Sequence, residues 1–172
     1  MALGTLNSKF YASPGVVEAA RSGKPLTFDK AGGYHSPRMD LAALVKPGIS
    51  GRAELVVGDE HTAPRVGSGR VHVLATPVMI NLIEAAALDA LDRRLPPGYQ
   101  SLGTLLNVRH IAATPVGMKV VAEVWLTRIE NRTAFFSVKT RDERELIGEG
   151  THERVVVNVE KFDQRVQRKL AP

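Results

Sequence analysis

Two periods of apolar and polar alternation run along this chain, one helical and one of strands. The stretch TPVMINLIEAAALDAL is apolar nearly all round from Val78 to Ala90, the pattern of a helix enclosed by other structure rather than half exposed on a surface. It predicts a helix over Thr76–Leu91, with Thr76 as the N-cap and Pro77 at the first helical position, where its missing N–H is no loss. The run is too short to cross a bilayer. At about 100° per residue, Glu84 projects from the same face as Ile80 and Leu88, with Asp89 and Arg93 on the far side. A carboxylate aimed into apolar surroundings costs several kcal/mol unless it is paired, so Glu84 requires a cation, a proton or a task.

Period-two alternation predicts strands on both sides of that helix. Before it come Gly51–Val57, a Gly- and Pro-containing loop over Asp59–Gly69, and a second strand over Arg70–Leu74. After it, Pro96, Pro97 and Gly98 force a stop. Four strand-like runs follow, at Ser101–Ile111, Lys119–Glu130, Arg132–Asp142 and Leu146–Val159, the last three joined by short polar turns as an antiparallel meander. Glu160–Leu170 predicts a closing surface helix. Residues 1–44, rich in Gly, Pro and Ser with one helical candidate at Pro14–Arg21, read as an N-terminal arm ahead of a single domain over 45–172. The expected class is α+β, an antiparallel sheet wrapped round one long central helix, which is the hotdog arrangement. The open edges of such a sheet are commonly covered by a second subunit, so a homodimer or higher homo-oligomer is expected.

Composition narrows the partners. The chain has 172 residues, no cysteine and a net charge of +5, so disulfides and thiolate metal sites are excluded and a reducing, cytoplasmic setting is expected. Met1–Phe10 lacks the apolar segment of a signal peptide. The excess charge sits at the ends, with five bases against three acids in residues 1–44, fourteen of each in 45–160, and four against one in 161–172. A neutral centre with only 5% aromatic residues is not the footprint of a nucleic-acid binder. The basic ends could attract a phosphorylated small ligand.

Three residues could carry chemistry. Strand alternation in TLLNVRHI puts His110 on one face with Leu106 and Val108, and Asn107 and Arg109 on the other. An inward His110 and an inward Glu84 would share one interior, in one chain or across a dimer, either as a mutually satisfied buried pair or as a site. Thr76 either caps the helix or offers its hydroxyl, beside the free N–H groups of the helix start, to a developing oxyanion. His152 shares parity with Arg154, Val156 and Asn158 and reads as a half-exposed structural histidine. No histidine and carboxylate spacing suggests a metal site, and GSGR at Gly67–Arg70 is not a phosphate loop.

The runs LATPVMINLIEAAALDAL from Leu74, SLGTLLNVRHIAATPVGMKV from Ser101 and LIGEGTHERVVVNVEKF from Leu146 resemble the fluoroacetyl-CoA thioesterase-like family of hotdog proteins. The resemblance spans Val45–Arg168. It implies a hotdog dimer that hydrolyses an acyl-CoA thioester without metal or redox cofactor, and it carries the family's catalytic threonine, glutamate and histidine onto Thr76, Glu84 and His110. The fluoroacetyl-specific enzyme has a longer, phenylalanine-bearing lid before the helix; here DEHTAPRVGSGRVHVLA is shorter and has no Phe, so fluoroacyl selectivity is not implied. Two rival readings are a non-catalytic acyl-CoA-binding module, which would be expected to have lost one of the three polar residues, and a hotdog dehydratase, whose Asp and His at the helix start are missing from LATPVMIN.

Overall fold

The central helix spans Thr76–Leu91 in the computed structural model, which describes residues 39–170; the arm's helical candidate at Pro14–Arg21 lies outside them. Its N-cap is Ala75 rather than Thr76. The Ala75 carbonyl accepts the N–H groups of Val78 and Met79 at 3.0 and 3.1 Å, so the backbone closes the first turn and the Thr76 side chain is left for another partner. The helix ends at Leu91, a 3-10 turn follows at Asp92–Arg94, and Gly98 takes a positive φ of 81° to turn the chain into the sheet.

Five strands form one antiparallel sheet: β1 (Ser50–Val56), β2 (Tyr99–His110), β3 (Lys119–Glu130), β4 (Thr133–Asp142) and β5 (Leu146–Asn158), in the order β1-β3-β4-β5-β2. The β3–β4 hairpin turns through Asn131 at φ 56°, a conformation asparagine tolerates well. A closing helix occupies Val159–Gln167, with the Asn158 side chain as its cap. The strands and the central helix follow the pattern of the sequence within a residue or two, and the closing helix ends three residues before the expected Leu170.

The expected sixth strand, Arg70–Leu74, does not form. Only Leu74 bridges, to Thr62, and the Val73 N–H bonds back to the Val71 carbonyl at 3.0 Å, a tight turn that strand geometry excludes. The segment's polar groups are satisfied locally, by Ala63 N–H on the Val73 carbonyl and by Leu74 N–H on the Thr114 carbonyl. Alternation in so short a run described which side chains turn inward, not a ladder.

The core lies between the helix and one face of the sheet. Met79, Ile83, Ala86, Ala87, Ala90 and Leu91 are buried against Ala122, Val124, Leu126, Phe136 and Ile147. Leu41, in the one-turn helix Leu41–Leu44, and Val45 are buried as well. The helix is not enclosed on every side, since Pro77, Asn81, Ala85 and Leu88 form an exposed stripe at helical spacing. Small residues let helix and sheet approach closely. A Cβ built on Gly51 of β1 would stand 2.5 Å from Ala90 N and 2.8 Å from Ala90 Cβ. Gly51→Ala should therefore destabilise the fold by about 1–3 kcal/mol through overpacking. Urea denaturation measures this, and an unchanged midpoint would contradict the packing described.

Candidate active site

Thr76, Glu84 and His110 are not gathered at one point in the single chain. They form two groups on the helix and the adjoining strands. The Thr76 hydroxyl, freed from capping, meets His110 Nδ1 at 2.9 Å. His110 Nε2 is buried and has no hydrogen-bond partner among the described residues. Desolvation holds the imidazole below its ordinary pKa, opposed by a backbone hydrogen bond at Ala112. A neutral His110 thus stands beside the first turn of the helix.

Glu84 lies two turns further on. Eight residues at about 1.5 Å each separate it from Thr76 by about 12 Å along the axis. Its side chain is 36% exposed, and its partner is Arg154, whose Nη1 is 3.4 Å from Oε1. The expectation of an enclosed Glu84–His110 pair does not hold within the chain; helical rise keeps them apart, and a cation already sits beside the carboxylate. The carboxylate also lies over Gly103 of β2, where a Cβ would collide with Oε1 and come within 3.2 Å of His152 Cε1.

Arg154 is the residue that sequence reasoning missed. Only 4% of its side chain is exposed. Its Nε donates to Ser101 Oγ at 2.8 Å, and Nη2 donates to the Ser101 carbonyl at 2.9 Å. Nη1 also lies 3.1 Å from His152 Nε2. Since a guanidinium can only donate, that imidazole nitrogen accepts, and Nδ1–H donates to the Leu105 carbonyl at 2.9 Å. Asp92, just past the helix, holds the Ser101 hydroxyl and its N–H.

His152 is fully buried rather than half exposed. Mixed parity misled because its polar neighbour Arg154 belongs to the interior as much as Val156 does. The signal available was the alternation of His152, Arg154 and Val156 on one face, with a serine and a glycine on the strand alongside.

Burial depresses the His152 pKa, aided by the Arg154 charge and opposed by the Leu105 hydrogen bond and by Glu84 and Glu153. Below the ordinary value of 6.5, the unfolded chain takes up a proton that the folded chain refuses. The stabilisation is therefore complete above that pH and shrinks as pH falls toward the folded pKa. The denaturation midpoint should drop between pH 7 and pH 5, and His152→Gln should flatten the profile. An equally steep profile in that variant would refute the assignment.

A helix wrapped by an antiparallel sheet, with a hydroxyl and imidazole at its start and a carboxylate and guanidinium two turns on, defines a hotdog protein of the thioesterase kind. A family model described as fluoroacetyl-CoA-specific thioesterase (FlK) matches residues 57–160. The fluoroacetyl-CoA thioesterase of Streptantibioticus cattleyicolor is 42% identical over 97 residues, which cover 56% of this chain and 70% of that protein. Among solved structures, a threonine-to-serine mutant of fluoroacetyl-CoA thioesterase FlK in complex with acetyl-CoA superposes with a TM-score of 0.69 at 34% identity, covering 74% of this chain and 100% of that one. A hot-dog-like protein from Thermanaerovibrio acidaminovorans reaches 0.72 at 25% identity, covering 78% and 99%. The chain belongs to the fluoroacetyl-CoA thioesterase family and is a hotdog-fold thioesterase.

Proposed function

We propose that Thr76, Glu84 and His110 hydrolyse an acyl-CoA thioester at a site completed between two copies of this chain. The observation that carries the reading is the split just described, with hydroxyl and imidazole at the start of the helix and carboxylate two turns on, near its middle. Two antiparallel copies related by a two-fold axis would bring the Thr76–His110 end of one against the Glu84–Arg154 end of its partner, twice over. The exposed helix stripe ending in Leu88 (40% exposed) and the outer edge of β2, with Leu105 at 44%, offer a self-complementary surface for that contact. Such a homodimer acting on a CoA ester suits the cytoplasm, where a cysteine-free chain meets its reducing environment.

In this arrangement His110 Nδ1–H donates to Thr76 Oγ, leaving the threonine O–H and the first helical N–H groups to polarise the thioester carbonyl where negative charge develops. Glu84 takes a proton from water, and the water oxygen bonds to the acyl carbon. When the C–S bond breaks, the proton passes through His110 Nε2, which has no other partner among the described residues, to the CoA sulfur. Direct attack by Glu84, giving a mixed anhydride that water then opens, uses the same geometry. A single turnover in ¹⁸O-water separates the two, since only the anhydride route can leave the label in Glu84. The segment before the helix contains no phenylalanine, so the acyl group is not expected to be confined to the fluorinated one.

The purified protein should release CoA thiol from members of a panel of short, branched and aromatic acyl-CoAs. Glu84→Ala and His110→Ala should each lower kcat/KM by about 10²–10⁴-fold, and Thr76→Ala by less. Binding with the ester left intact across the whole panel would turn the reading to a non-catalytic acyl-CoA-binding module.

Mixing decides whether the site is shared. Refolded together, Glu84→Ala and His110→Ala chains should regain about a quarter of wild-type turnover, because half the dimers are mixed and one of their two sites is intact. No recovery from a mixture shown to contain mixed dimers would rule out a site built across the two-fold.

A further inference from the structure

The closing helix carries a cationic face that the chemistry above does not use. Lys161, Gln164, Arg165 and Arg168 follow one another at spacings of three, one and three residues and so share one side of the helix. With Asn158 and with Arg132 of the β3–β4 turn they line an open cleft of about 460 Å³. Four cations converge there, and none makes an ion pair among the described residues. The acids of the same helix, Glu160 and Asp163, are not among the lining residues. The Arg165 guanidinium stands 5.8 Å from the Phe162 ring centroid, and the Asn158 carbonyl oxygen of the side chain is taken by the Lys161 N–H at 3.0 Å. Like charges one turn apart destabilise a helix, so a concave cluster without acids is built for an anion.

We infer that this cleft holds the phosphate groups of the CoA thioester. The inference rests on the reading of acyl-CoA hydrolysis at Glu84 and adds the part of the substrate that lies furthest from the reacting carbon. Asn158 is four residues beyond Arg154 on β5, with the same strand parity and about 13 Å along the strand. The cleft is therefore offset along β5 from Arg154, the partner of Glu84, by a separation of the order that a ligand with its reactive sulfur at one end of a flexible arm and its phosphates at the other requires. Arginine forks match phosphate oxygens two at a time, and Lys161 adds a movable point charge. The volume is in the range of small-ligand sites.

One acyl group carried on CoA and on N-acetylcysteamine, which ends before the phosphates, tests this. In an Arg165→Gln, Arg168→Gln double variant and in Lys161→Gln, all altered at exposed positions, the kcat/KM ratio of the CoA ester to the truncated ester should fall. A loss of roughly ten-fold or more is expected in the double variant, arising in KM for the CoA ester. For the wild type that KM should rise with ionic strength, and adenosine 3′,5′-bisphosphate should compete with acyl-CoA. A ratio unmoved in both variants overturns the inference, as does bisphosphate binding that does not compete, which would make the cleft a separate effector site. A wild type that cleaves neither ester brings down the hydrolysis reading and this inference with it. Cleavage of both esters with an unmoved ratio removes this inference alone.

Discussion

A guanidinium with only 4% of its side chain exposed is the constraint to which the rest of this structure answers. A buried charge left unpaired costs several kcal/mol, so Arg154 persists only because acceptors surround it. They are the Ser101 hydroxyl and carbonyl, His152 Nε2 and Glu84 Oε1. Each acceptor imposes a condition elsewhere. His152 must be neutral with its proton on Nδ1, which ties it to the Leu105 carbonyl of β2. Ser101 must be held by Asp92, which fixes the chain just after the central helix to the start of β2. Glycine at 103 leaves room for the Glu84 carboxylate, which a side chain there would displace from its present position. The Phe136 ring, stacked on His152 with centroids 6.4 Å apart, joins this polar cluster to the apolar core. The central helix is thereby tied by side-chain hydrogen bonds to β2 and β5, which their own backbone ladder already joins.

The same cation explains why the proposed site is divided. Within the chain Glu84 is already matched by Arg154, on the side of the helix that faces β2 and β5, and helical rise carries Thr76 away from it. His110 lies at the far end of β2, seven residues from Gly103, paired with Gly148 where Gly103 is paired with Arg154. The two groups left open to a second copy are complementary: an imidazole nitrogen without a partner among the described residues beside the helix start, and a carboxylate two turns on that is paired with Arg154 yet 36% exposed. A two-fold axis is the simplest operation that makes two such ends meet, and it would also cover the exposed helix stripe that an apolar sequence made unexpected.

Most of the fold could be read from the alternation itself. β3 was bounded to the residue, and β4, β5 and the central helix to within one, because long periodic runs with glycine, proline or asparagine between them admit few other foldings. Arg70–Leu74 was misread because five alternating residues look the same whether or not a neighbouring strand exists. Thr76 was assigned to the cap because capping is the commonest use of a threonine before a proline; the backbone of Ala75 does that work and the hydroxyl goes to His110. The positions of Glu84 and His110 on their elements were legible, but their partners were not. Pairing depends on which strands become neighbours, and Arg154 is seventy residues from Glu84.

The segment between β1 and the central helix bears on how chemistry and selectivity are divided in this family. It is stitched by its own polar groups: Asp59 takes Arg65 Nε at 2.6 Å and His72 Nε2 at 2.8 Å, which together hold its carboxyl below the usual range, His72 most strongly. Its backbone then fixes the helix start, through Ala75 N–H on the His61 carbonyl and Leu74 N–H on the Thr114 carbonyl. Main-chain contacts thus place Thr76, while the Asp59, Arg65 and His72 side chains hold the segment that supplies one of them. The carbonyl-binding end of the proposed site would therefore be set by backbone, whatever acyl group the rest of that site takes.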